Sequence, residues 1–336
     1  MPRNSESSTD QHYVPQLLLR GFVTRGRKQV YVFDKRTEKV FRSSVRNLAC
    51  ERGFYDLDDE AIPERFDRWL TQLEEHTAPV ITSIRGRKTL DHLHPGERKW
   101  IASFIAIQHL RTRRHREFWG DMNKQMADAL RETGAEPNEV KNFRELTAEE
   151  VRRNAITDMP GLAFELLPHL LNKAWILLSA PQGTSFWIGD HPVALSNTIN
   201  PGDGVRGTLG FAVRGIEVYL PISSELTIGC LCPTIPAMFA AAEAGLIPPA
   251  PRESRANDFL RAFTGRATLR LGVENMKYHN SLQVIGAERF IFSMHDDFDM
   301  AREMLSSHPH LKTGPRIEMG GRPRTAQRRS ETNTVG

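Results

Sequence analysis

A chain of 336 residues is long enough for one large domain or two ordinary ones. With 39% apolar and 26% charged residues it has the composition of a folded protein, and it lacks an apolar run of about 18 residues that could cross a membrane. The net charge of +4 is carried by the segment from Lys312 to Gly336, where six basic residues stand against two acidic ones. The remainder is balanced, whereas a folded body that wraps nucleic acid carries a basic excess within itself.

Met1 to Asp10 are polar and lack the apolar centre of a signal peptide, so residues 1–10 are expected to be disordered and the protein cytoplasmic. Pro15 suits the first position of a short helix that Gly21 would end. Gln29 to Asp34 and Lys39 to Ser43, around a turn at Lys35 to Glu38, predict a hairpin, and Phe54-Tyr55 a further short strand.

Pro63 opens a helix with Phe66, Trp69, Leu70 and Leu73 at helical spacing, which Pro79 should kink or restart. Pro95-Gly-Glu starts one long helix over about 96–126. A polar loop from Glu132 to Glu149 precedes helices near 148–158 and 161–173.

Strand patterns then take over at Trp175 to Ala180, Ser185 to Gly189, Glu217 to Ile222 and Leu226 to Cys230. A helix over about 272–284 leads into a strand at Arg289 to Ser293. The three cysteines, Cys50, Cys230 and Cys232, form no disulfide or zinc framework, and the last two read as buried inert thiols.

The pattern predicts an α+β fold with a mixed sheet and an inserted helical half built around the long helix. A single globular domain is expected over 11–306, its helical half at about 62–173 and strands before and after it. A disordered basic tail is expected over 307–336, suited to solubility or to weak contact with nucleic acid.

On the long helix, about 100° per residue puts Trp100, Ile101, Phe104, Phe118, Trp119, Met122 and Met126 on one core-facing arc. Gln108, Arg111 and His115 fall inside it. An arginine there needs acceptors. It either pairs with a carboxylate and ties the helix to the sheet, or anchors a carboxylate or phosphate of a ligand.

These residues resemble a known family. His12-Tyr-Val-Pro-Gln16 with Leu18, Arg20 and Phe22 resembles the trademark His-Tyr-Val-Pro signature of an uncharacterised microbial family, domain of unknown function 4238. Val30 to Lys35, Phe54-Tyr55, Phe104 to Gln108 with Arg111-Thr112 and Arg114, and Asn280 with Ala287 to Ser293 are similar to its later blocks. Phe186 to Val193 is similar to its strand-turn block, with Gly189 and His191 where the usual wording is closer to Ser-Asp-Asn-Pro; Asp190 is retained. The resemblance spans about 11–293 and implies no activity.

Glu139-Val-Lys141 lies in a polar loop and His295-Asp296-Asp297 reads as turn residues, so neither assigns a metal. No motif names a cofactor. The enzyme reading brings His12, Gln108, Arg111 and Asp190 into one pocket between the long helix and the sheet. His12 moves protons and Asp190 orients it or holds a metal, while Gln16, Gln108, Arg111, His115, His191 and Asn280 bind an anionic group. Hydrolysis of a phosphate-containing or nucleic-acid substrate is the reaction expected on that reading. The alternatives are a non-catalytic module that binds an anion or nucleic acid, and a buried polar network that serves only the fold.

Overall fold

The computed structural model describes residues 10–24, 26–55, 61–199, 209–246 and 256–315. Strand β1 (Asp10–His12) pairs antiparallel with β4 (Cys50–Arg52), so the added strand lies just before Phe54-Tyr55 rather than on them. Helix α1 (Gln16–Leu19) follows Pro15 and tightens into a 3-10 turn over Arg20–Phe22. Gly21 is needed for close approach rather than for ending a helix: a β-carbon there would collide with the carbonyl oxygen of Ile222. Ser224 N donates to Gly21 O at 2.9 Å across the same contact.

The predicted hairpin is present as β2 (Gln29–Asp34) and β3 (Lys39–Ser44), with Val32 opposite Phe41. Its other neighbour is β11 (Phe290–Ser293), from the far end of the chain, and β11 also pairs with β6 (Ile188–Gly189). These four strands make an antiparallel sheet in the order β3-β2-β11-β6.

A second, five-stranded sheet contains β5 (Ala174–Ser179), β7 (Ala194–Ser196), β8 (Glu217–Pro221), β9 (Leu226–Leu231) and β10 (Leu269–Arg270). Its order is β10-β5-β9-β8-β7, parallel at β10-β5 and antiparallel elsewhere. The fold is thus α+β, but with two larger sheets where a single mixed sheet was expected. The Ser185–Gly189 segment explains the difference. Phe186 N donates to Ser224 O at 2.8 Å and Trp187 N to Asn280 Oδ1 at 2.9 Å, so its first amides are taken by a loop and a side chain. Only its end remains to pair, and it joins β11 rather than β5.

Among the described helices, α2 (Ala61–Arg87) runs through Pro79 without the expected break. Val80, Ile81 and Ile84 beyond it are buried, and this tertiary packing outweighs one missing amide bond. The expected single helix over 96–126 is two: α3 (Pro95–Leu110) and α4 (Arg113–Glu132). Thr112 between them is extended, at φ −93° and ψ 157°.

Helix α3 is core, with Ile101, Phe104, Ile105 and Ile107 buried; of α4 only Ala127 is buried. The break rotates the later residues off the arc, so Trp119 is 37% exposed, and Trp100 at the start of α3 is also exposed, stacked on His76.

The remaining helices are α5 (Ala148–Thr157), α6 (Met159–Leu171), α7 (Thr234–Glu243), α8 (Ala256–Phe263), α9 (Val273–Gly286) and α10 (Asp299–Ser307). The main core joins α2, α3, α6 and the five-stranded sheet. A smaller one, with Phe33 stacked on Phe298 at 5.2 Å, lies between the four-stranded sheet and α9 and α10.

Cys230 and Cys232 are buried free thiols, and burial pushes the Cys230 thiol up to about 12. The chain also stays folded past 307, where a disordered tail was expected to begin. Pro309–Lys312 form a 3-10 turn and Lys312 pairs with Glu38 at 2.8 Å. Residues 316–336 and 1–9 of the expected tail and N-terminus lie outside the described residues. No described helix is long and apolar enough to cross a membrane.

Candidate functional site

Helix α3 starts as its sequence predicts. His94 Nδ1 accepts from the amides of Gly96 and Glu97, and Glu97 returns a bond to His94 N at 3.1 Å. Its other end is where the sequence singled out polar residues. Gln108 is sealed and donates to Tyr13 O at 2.9 Å, holding the N-terminal motif against the helix.

Arg111, 2% exposed, donates Nε to Gln108 Oε1 and Nη1 to Glu74 Oε1, both at 2.9 Å; its Nη2 is buried without a partner. The carboxylate that neutralises Arg111 is therefore Glu74 on α2, not Asp190. Sequence reasoning missed Glu74, although it interrupts the apolar stripe of Phe66, Leu70, Leu73 and buried Thr77 much as Arg111 interrupts its own.

His12 lies within electrostatic reach of both Glu74 and Arg111. Its Nε2 is 3.1 Å from Arg46 O and 3.5 Å from Gln16 Nε2, and Gln16 Oε1 accepts from Arg20 at 3.2 Å. Burial lowers the His12 ring below its ordinary value, opposed by the Arg46 carbonyl and Glu74.

Asp190 is occupied by the main chain. Its carboxylate accepts from the amides of Glu288, Arg289 and Phe290 at 2.6, 2.8 and 2.9 Å. Burial pushes its carboxyl group up, while these amides and Lys35 pull it down. Lys35 is itself sealed, donating to Val284 O at 2.7 Å and Ala287 O at 2.5 Å, where α9 leaves its last carbonyls open.

Asn280 bridges Trp187 N and Ser185 O, and Gln283, one turn on, bridges Gly189 N and Pro192 O. Asp190 and Asn280 thus have their hydrogen-bonding capacity consumed by backbone, and they fasten segment 185–192 to α9 and β11. Among the described residues no hydrogen bond or ion pair joins Asp190 to His12, Gln108 or Arg111.

The break between α3 and α4 gathers histidines instead. His191 Nδ1 is 2.5 Å from Thr112 Oγ1, and its Nε2 is buried without a partner. The ring of His109 stands edge-on to His191 with centroids 5.1 Å apart, and its Nδ1 is likewise buried and unpaired. His115 lies 6.2 Å from His109 and accepts from Trp119 Nε1 through Nε2 at 2.8 Å. This bond fixes the neutral tautomer, because Nε2 must be bare and Nδ1 carries the proton.

Burial lowers all three rings, with Arg114 adding to it: His115 to about 4, His109 and His191 well below their ordinary value. Sequence reasoning named His115 and His191 but missed His109. Its position one residue after Gln108, off the arc of a straight helix, gave no signal.

His115 and Trp119 open on a cleft of about 630 Å³ between α4, α5 and α6. Met122, Val151 and Leu162 give it apolar walls, and Asp158 and Glu165 are its charged lining residues. Its size and mixed lining are those of small-molecule sites, which run roughly 300–1,000 Å³.

Among the described residues no group of three or more His, Cys, Asp or Glu side chains is arranged to hold a metal ion. His295 to Asp297 serve a turn: Ser293 Oγ accepts from His295 N, and Asp297 accepts from Asp299 N at the start of α10.

The model of a family described as "Protein of unknown function (DUF4238)" matches residues 10–297. No curated protein and no solved structure matches the chain.

Proposed function

The chain belongs to the DUF4238 family of proteins of unknown function, and we propose that it is a small-molecule-binding protein whose site is the cleft between α4, α5 and α6. The observation that carries this is the wall made by His115 and Trp119. The indole N–H fixes the imidazole as a neutral ring with its proton on Nδ1. Around it the lining combines apolar side chains such as Met122, Val151 and Leu162 with polar ones such as Asn123 and Asn154, a mixture that suits a small ligand.

The bond from Trp119 also occupies the basic nitrogen of His115, which suits a binding residue better than a general base. A fragment screen read by the indole N–H resonances tests the proposal. Ligands that move the Trp119 signal, and lose affinity in Trp119→Ala and His115→Ala, are expected. Fragments that leave Trp119 unmoved would refute it.

A second reading keeps hydrolysis of a phosphate-containing or nucleic-acid substrate at His12, Gln16 and Arg111. It is supported by the unpaired Arg111 Nη2 and by His12 standing near Glu74. It predicts cleavage of a simple phosphodiester such as bis(p-nitrophenyl) phosphate that disappears in His12→Ala. No cleavage by the unaltered protein removes it.

A further inference from the structure

We infer that the cleft between α4, α5 and α6 selects a ligand carrying a protonated amine on a small apolar or aromatic body. This rests on the cleft being a binding site and adds the charge of its occupant. The argument is one of charge complementarity. Asp158 and Glu165 are the ionised side chains of the lining, and no Lys or Arg contributes to it.

Neither carboxylate is spent elsewhere in the described residues. Asp158 accepts one hydrogen bond from its neighbour Thr157 at 3.4 Å, and neither it nor Glu165 is in an ion pair. Most other acidic groups nearby are committed: Glu117 to Arg113, Glu145 to Arg131 and Glu150 to Arg144. Two uncommitted carboxylates beside an apolar wall repel an anion and attract a cation.

The rest of the wall agrees with that sign. His115 is kept uncharged chiefly by burial, so it opposes no cation, and Arg114, whose charge also lowers the ring, is not among the lining residues. Trp119 is exposed and held by its own hydrogen bond, giving an indole already fixed for apolar contact and for attraction of an ammonium group. Met122, Val151 and Leu162 complete an apolar surface that a bare metal ion would leave unused.

The test uses three probes of one shape and different charge, 2-phenylethylamine, 2-phenylethanol and phenylacetate, titrated into the full chain at pH 7. Heat of binding and the Trp119 indole resonance are read together. The amine should bind at least about tenfold tighter than the acid, equivalent to roughly 1.4 kcal/mol. Glu165→Gln should reduce that ratio, and Glu165→Gln with Asp158→Asn should bring it below about threefold, near the resolution of a weak-binding titration. The exposed single variant guards against a folding defect in the double one.

If the alcohol or the acid binds as tightly as the amine, or the preference survives the double variant, the charge inference is overturned while the cleft remains a binding site. If none of the three moves Trp119, both fall.

Discussion

Lowering the pH from 7.5 to 5 should remove a large part of the folding stability, and the size of the loss follows from the buried imidazoles. His279 on α9 packs edge-on to Tyr219 at 4.5 Å and is buried, which lowers its ring from 6.5 to about 4. The unfolded chain therefore binds the proton that the folded chain refuses between those values, and stability falls as pH falls through that window.

At pH 5 the linkage for one such ring is about 2 kcal/mol. His115 is displaced to the same value and is partly exposed on the cleft wall, so it contributes somewhat less. His109 and His191, lowered by burial, act with the same sign. Asp190 runs the other way, its carboxyl group being raised on folding.

The two rings displaced to about 4 together give roughly 3 kcal/mol, against total stabilities of about 5–15 kcal/mol for folded proteins. Urea denaturation at the two pH values measures it directly, and His279→Gln should remove about 2 kcal/mol of the difference. A stability change under about 1 kcal/mol would refute the placement of neutral rings in the interior.

Removing Arg111 as Arg111→Ala strands Glu74 and Gln108 and should cost about 3–5 kcal/mol in urea denaturation. Coupling between Arg111→Ala and Glu74→Gln should appear in a double-mutant cycle as about 1–3 kcal/mol, and strict additivity would disprove the pairing. Asp190→Ala leaves the amides of Glu288, Arg289 and Phe290 without their acceptor and should destabilise by at least about 3 kcal/mol, visible as faster amide exchange in β11. Gly21→Ala forces the N-terminal segment away from Ile222 and should lower the melting midpoint; a neutral outcome would mean that this contact is not close-packed.

The sequence determined what is local. The start of α3 was legible because a proline at the first helical position acts within one turn. The hairpin β2–β3 was legible because its alternation and its turn, where Glu38 takes φ 56°, are written in adjacent residues. Gln108 and Arg111 stood out because polar groups on an apolar stripe need partners, and both are buried in a network.

Tertiary structure decided the partners. A helical wheel assumes one straight helix, so it placed His115 and Trp119 in the core, whereas extended Thr112 turns them to a cleft whose other walls come from α5 and α6. Glu74 was invisible as the mate of Arg111 because an ion pair between two helices leaves no spacing to read. The main-chain partners of Asp190 could not be read either. Its partners are backbone amides, which every residue except proline possesses, so no side-chain pattern marks where a carboxylate will be captured by the main chain.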